Sequence, residues 1–247
     1  MFLDQTTILV GAFLLLAAYV KGTTGMGFPL IATPMVALLL DIRTAITILI
    51  IPNIVMDIGQ LFHGRFLGAI FRRFASLLVL TVVGVFIGTK ILVSVPVHIM
   101  HLILGFMVLA FVAYNFFHFD FHISPSIERL LSPLVGLGGG VLNGMTNVLG
   151  PLVASYFYGL KMEKQEFVKS VATTFMVAKV SQLIAVSTWG LLTPSTLLLS
   201  LLVTVLSLMG FYLGLKSQDR VNQKTFNRVL LSLLFVIGVT LMVRALR

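Results

Sequence analysis

Long apolar runs and short polar interruptions alternate along the chain. Apolar runs cover residues 7–24, 28–40, 44–62, 74–93 and 99–117, and the same order returns at 133–148, 149–160, 167–189, 194–215 and 225–244. A transmembrane helix needs about 20 apolar residues, because each advances about 1.5 Å through a hydrocarbon layer about 30 Å thick. Most runs approach that length and predict spanning helices. Runs 28–40 and 149–160 fall short, which favours half helices or re-entrant segments. Transmembrane strands would give shorter, alternating segments. The pattern predicts an all-α polytopic membrane protein of two repeats, residues 1–117 and 133–247. Each repeat is expected to hold a broken or re-entrant helix hairpin plus about three transmembrane helices. Residues 118–132 read as the linker between repeats, and His63 to Arg73 as a polar loop.

Each short run follows a break rich in glycine, proline and polar residues. The first break is Lys21-Gly-Thr-Thr-Gly-Met-Gly-Phe-Pro-Leu30; the second, Asn143-Gly-Met-Thr-Asn-Val-Leu-Gly-Pro-Leu152, starts 122 positions later. At that spacing Gly22 meets Gly144, Thr24 meets Thr146, Pro29 meets Pro151 and Ala32 meets Ala154. The match continues with Asp41 and Glu163, Asp57 and Lys179, and Gln60 and Gln182. Gly84-x-x-x-Gly88 then meets Gly210-x-x-x-Gly214 at a spacing of 126, a helix-packing motif in both halves. Coincident prolines, glycines and polar residues are hard to assign to chance in apolar sequence, and they indicate an internal duplication.

Composition and charge sharpen the class. With 58% hydrophobic and 10% charged residues and a mean hydropathy of +1.08, the chain cannot cover a water-facing surface, which takes about 25% charged residues. The formal charge of +9 would suit nucleic acid, but the basic residues stand in short clusters between apolar runs and serve better as topology signals. Arg65, Arg72 and Arg73 lie between the third and fourth runs, whereas the counterpart from Trp189 to Thr193 carries no charge. The second half has its clusters elsewhere, at Lys161, Lys164 and Lys169 and then at Lys216, Arg220, Lys224 and Arg228. Positive residues mark the cytoplasmic side, so the repeats are expected to have inverted topology, with a cytoplasmic linker and both termini outside. Arg244 and Arg247 then stand on the unexpected side. The absence of cysteine excludes disulfides and thiolate metal sites. The first residues lack the basic region of a signal peptide, so 7–24 is expected in the mature fold.

Paired breaks in a duplicated membrane protein point to a transporter's binding site. Pro29 and Pro151 suit the first turn of a helix. The amides around them, with the positive end of the helix dipole, suit an anion. Gly25, Gly27 and Gly150 admit close approach, Thr23, Thr24, Asn143, Thr146 and Asn147 add polar side chains, and Lys21 adds a charge. Lys179 and Asp57 fall within apolar runs, where an ionisable group costs about 2.5–3.5 kcal/mol and must face protein or a water-filled cavity. They form either an ion pair that locks the halves together or part of the pathway, with Lys179 drawing the anion and Asp57 carrying a coupling proton. Gln60 and Gln182 follow three residues on, as hydrogen-bonding neighbours or as interhelical contacts. His118 and His122 flank Asp120 without a clear third ligand, so no metal is expected. No cofactor is expected, and no enzyme motif holds. The expected partners are a small anion, a coupling proton or other ion, and membrane lipid; nucleic acid is not among them, and the oligomeric state is open.

The paired breaks, their Pro-Leu-hydrophobic-Ala continuation, and Lys164-Gln-Glu-Phe-Val-Lys-Ser-Val-Ala-Thr-Thr174 together resemble the sulfite exporter TauE/SafE family across both halves. The resemblance implies a bacterial or archaeal inner-membrane permease for small anions such as sulfite, sulfoacetate or other sulfonates. It places the family's glycine-rich positions on Gly22, Gly25 and Gly27 with Pro29, and on Gly144 and Gly150 with Pro151. Asn147-Val148-Leu149 departs from the glycine run of the second break. The expected function is secondary transport of a small anion by alternating access, with half-helix N-termini holding the anion. A passive anion channel or a membrane scaffold subunit is the alternative.

Overall fold

The computed structural model describes residues 5–61, 67–116, 122–217 and 223–246, and among them every regular element is a helix. In chain order these are α1 (Gln5–Thr24), α2 (Phe28–Ala37), α3 (Ile42–Ile48), α4 (Ile50–Leu61), α5 (Leu67–Arg73) and α6 (Ala75–Ser94). Then follow α7 (Val97–Phe116), α8 (Pro125–Thr146), α9 (Gly150–Gly159), α10 (Lys164–Thr188), α11 (Pro194–Ser217) and α12 (Gln223–Ala245). Among the described residues seven stretches are long and apolar enough to cross a membrane, with α3 and α4 contributing one between them, Ile42–Gly59. At ten residues each, α2 and α9 are about 15 Å long, half of a hydrocarbon core. His118, Asp120 and the side chain of Gln60 lie outside the described residues.

Three local features depart from the sequence pattern. The polar loop expected up to Arg73 contains α5 over Leu67–Arg73. Likewise α8 starts inside the expected linker: extended Ser124 precedes Pro125 in the first turn, and Glu128 stands at the positive end of the dipole. Glu128 and α5 explain each other. Arg73 grips Glu128 through two nitrogens at 3.0 and 3.1 Å and reaches Glu166 at 2.9 Å. The Glu128 hydrogen bond is the chief cause that raises the Arg73 pKa, against a lowering by partial burial. The third departure is the run 44–62, which breaks at Leu49 although its counterpart is the continuous helix α10. Pro52 has no N–H to give the Ile48 carbonyl, and the Ser200 hydroxyl supplies that bond instead at 2.8 Å.

The helices form two compact units. Unit 1 holds α1, α2, α3, the start of α4 through Asn53, α7, α11 and α12. Every residue of α2 is buried there, packed among α1, α3, α7 and α12. Helix α1 lies against α11, where a Cβ on Gly22 would meet the backbone of Phe211, Gly214 and Leu215. The Arg244 guanidinium ends the half helix by donating to the Leu38 carbonyl at 2.6 Å. A cation outside the basic clusters thereby gains a structural role, since it satisfies a carbonyl and opposes the negative end of the dipole.

Unit 2 holds the rest of α4, with α5, α6, α8, α9 and α10. Here α8 lies against α6, and a Cβ on Gly144 would meet the backbone of Val85, Gly88 and Thr89. Gly22 on Gly214 and Gly144 on Gly88 are therefore the same contact at matched sequence positions. Each unit draws helices from both sequence halves, so the units and the halves divide the chain differently. Phe74 meets Tyr156 and Phe157 edge-to-face in unit 2, and those two rings are tilted against each other, with ring centroids 5.0 to 6.4 Å apart.

Candidate functional site

The two breaks are built alike, one in each unit. Gly25 and Asn147, which stand 122 positions apart, both turn into the left-handed region, at φ 81° and 64°. Their N–H groups donate back to the carbonyls of Lys21 and Asn143 at 2.8 and 2.9 Å. Ahead of them, Thr24 Oγ1 lies 2.8 Å from the Val20 carbonyl and Thr146 Oγ1 2.7 Å from that of Leu142. The same two hydroxyls then receive the N–H of Met26 and of Val148, at 3.4 and 3.2 Å. Beyond this point the breaks diverge: Gly27 is left-handed at φ 98°, whereas its counterpart Leu149 is right-handed at φ −100°. Pro29 and Pro151 open α2 and α9 as expected, and neither N-terminus carries a side-chain cap.

Thr24 and Thr146 thus brace the breaks through backbone, and the Thr23 hydroxyl is likewise 2.9 Å from the Val20 carbonyl. The charges that accompany the breaks come from two lysines. In unit 1, Lys21 is 1% exposed and its Nζ donates to Asn53 Oδ1 at 2.6 Å. In unit 2, Lys179 is 2% exposed and its Nζ donates to Asn147 Oδ1 at 2.7 Å and to Gln182 Oε1 at 2.8 Å. The arrangement is reciprocal. Unit 1 places lysine at the break and asparagine on the following long segment; unit 2 places asparagine at the break and lysine on the long helix. Both pairs are 32 residues apart. An amide oxygen fixes an ammonium in position while leaving its charge in place.

Asn147 also accounts for the departure from a glycine run. The turn needs a residue that tolerates positive φ, and asparagine does so while offering an amide. Glycine could make the turn but could not hold Lys179. Asn143 completes the unit 2 cluster: its Nδ2 donates to Gln182 Oε1 at 3.2 Å, and its carbonyl receives Gln182 Nε2 at 2.9 Å.

Within unit 2 the structure therefore joins Asn143, Asn147, Lys179 and Gln182, all expected from sequence. Gly25, Gly27 and Gly150 are half-buried at the breaks. Asp57 is fully buried on α4, one helical turn beyond Asn53. Asn53 is the site residue that sequence reasoning missed. Its signal was present, as an amide inside an apolar run, but its 122-spaced counterpart is Phe175, so the duplication gave no pointer to it.

A family model described as sulfite exporter TauE/SafE matches residues 10–241 of the 247-residue chain. No curated protein and no solved structure matches it.

Proposed function

Since the chain belongs to the sulfite exporter TauE/SafE family, and is thereby a multi-pass membrane transporter of the sulfite and sulfonate type rather than an enzyme, we propose that it carries a small oxyanion by alternating access, binding it at the two broken helices. The observation that carries this reading is the buried lysine on or against each break, held by an asparagine oxygen. A buried ammonium is costly without a use, and ionisable groups at membrane depth are best explained by a substrate or ion path. The half-helix N-termini at Gly27 and Gly150 add uncapped amides and a favourable dipole.

In this reading Lys21 and Lys179 supply attraction, Asn143, Asn147 and Gln182 orient Lys179, and Asp57 carries a coupling proton. The matched construction of the breaks supports an internal duplication. The charge clusters of the sequence favour inverted topology for the two repeats, whose exchange of conformation would alternate access. A bacterial or archaeal inner membrane is the expected location.

Counterflow in proteoliposomes tests the proposal, comparing sulfite, sulfoacetate and a simple carboxylate with and without a pH gradient. Saturable exchange that is lost in Lys21→Ala is expected. Flux that neither saturates nor shows counterflow would indicate a channel. Normal kinetics in a folded Lys21→Ala protein would remove Lys21 from the site.

A further inference from the structure

The two lysine clusters present opposite hydrogen-bond polarity. A lysine ammonium has hydrogens to give and no lone pair, so only an amide oxygen can face it. That settles which end of each carboxamide is which, an assignment that geometry by itself leaves interchangeable. In unit 1, Asn53 Oδ1 is committed to Lys21. The remaining end is Nδ2, a buried donor with no hydrogen-bond partner among the described residues. In unit 2, Gln182 Oε1 is committed to Lys179, so the Asn143 end that faces it must be Nδ2. What remains there is Asn143 Oδ1, a buried acceptor with no partner among the described residues.

We propose that Asn53 is a substrate-binding residue, its Nδ2 giving a hydrogen bond to an oxygen of the transported oxyanion while its Oδ1 holds Lys21. This rests on the anion-transport reading above and adds a division of labour to it. A buried N–H without an acceptor carries a standing desolvation cost, which an oxyanion oxygen removes with a charge-assisted bond. The Asn143 oxygen keeps its lone pairs unpaired, so it repels an oxyanion's oxygens and suits a hydrogen-bearing group instead. The amide hydrogen bond to the oxyanion therefore comes from unit 1.

Asn53→Asp and Asn53→Ala are read together. Asn53→Asp keeps an oxygen for Lys21 and replaces the donor with a second acceptor, but its carboxylate also opposes an anion by charge. Asn53→Ala lacks the donor without adding a charge, so it must weaken binding as well. The full-length protein in detergent is titrated calorimetrically with sulfite and with sulfoacetate, alongside its thermal unfolding. Wild type is expected to bind at least one anion, and Asn53→Asp to bind it about 10- to 150-fold more weakly, the loss expected for a hydrogen bond to a charged group. The unfolding temperature should hold. A Kd raised less than that in the folded variant overturns the role of Asn53 and leaves the transport reading standing. An unchanged Kd in Asn53→Ala also overturns the proposal, and that variant decides alone if Asn53→Asp does not fold. Absence of binding and of exchange by wild type with either anion refutes both the proposal and the reading beneath it.

Discussion

The three consecutive glycines of α8 should respond to alanine with opposite signs. A Cβ on Gly140 would fall onto the Thr81 carbonyl oxygen, with Val85 N at 2.9 Å and the Gly84 Cα at 3.0 Å. All three are backbone of α6, so no rotamer change relieves them and the helices must separate. On Gly138 the nearest atom is Leu152 Cδ2 at 3.9 Å, an ordinary contact. Gly139 is intermediate, because its neighbour at 2.8 Å is the end of a movable side chain, Leu149 Cδ1. Alanine gains about 0.5–1 kcal/mol over glycine in a helix interior, and overpacking costs about 1–3 kcal/mol. Backbone contact puts Gly140→Ala in the upper part of that range, for a net loss of about 1–2 kcal/mol. Gly138→Ala should be neutral or stabilising by up to about 1 kcal/mol. Reversible unfolding in mixed micelles, followed by circular dichroism and by the fluorescence of Trp189, gives both numbers. Trp189 is the protein's one tryptophan and lies edge-on to Phe86 of α6 at 5.9 Å. Equal stability of Gly138→Ala and Gly140→Ala would refute the close approach of α8 to α6.

Other consequences can be measured in the same way. Asn147→Gly should keep the left-handed turn and fold while impairing exchange, whereas Asn147→Ala should also lose about 1–2 kcal/mol from strain at positive φ; a fully active Asn147→Gly protein would show that Lys179 needs no anchor at the break. Ser200→Ala should cost about 1–3 kcal/mol by orphaning the Ile48 carbonyl. That cost should shrink in a Pro52→Ala background, where residue 52 regains its N–H, and a strictly additive double mutant would count against a shared carbonyl.

The hydrophobic runs and their punctuation were legible because they are local. A span's length is fixed by apolar residues in series, and the breaks follow from where glycine, proline and asparagine release the helix. Matched spacing of Gly25 with Asn147 and of Thr24 with Thr146 anticipated two turns of the same construction. The sequence also nominated Lys21 and Lys179, since a lysine in an apolar run is conspicuous by itself. Their partners were not legible. Lys21 with Asn53, and Asn147 with Lys179, lie 32 residues apart, and such contacts depend on how helices pack rather than on any period along one of them. The same holds for Arg244, which topology rules leave unexplained and which the fold sets on the Leu38 carbonyl. Helix α5 and the early start of α8 were hidden for a related reason. Polar residues read as loop until the Arg73, Glu128 and Glu166 contacts join the elements that carry them. Sequence by itself thus determined which segments enter the membrane and where they break, because the cost of exposing backbone and apolar surface acts residue by residue. Tertiary structure decided which oxygen each lysine holds, and so which amide atom is left for a ligand, because that depends on distances between helices.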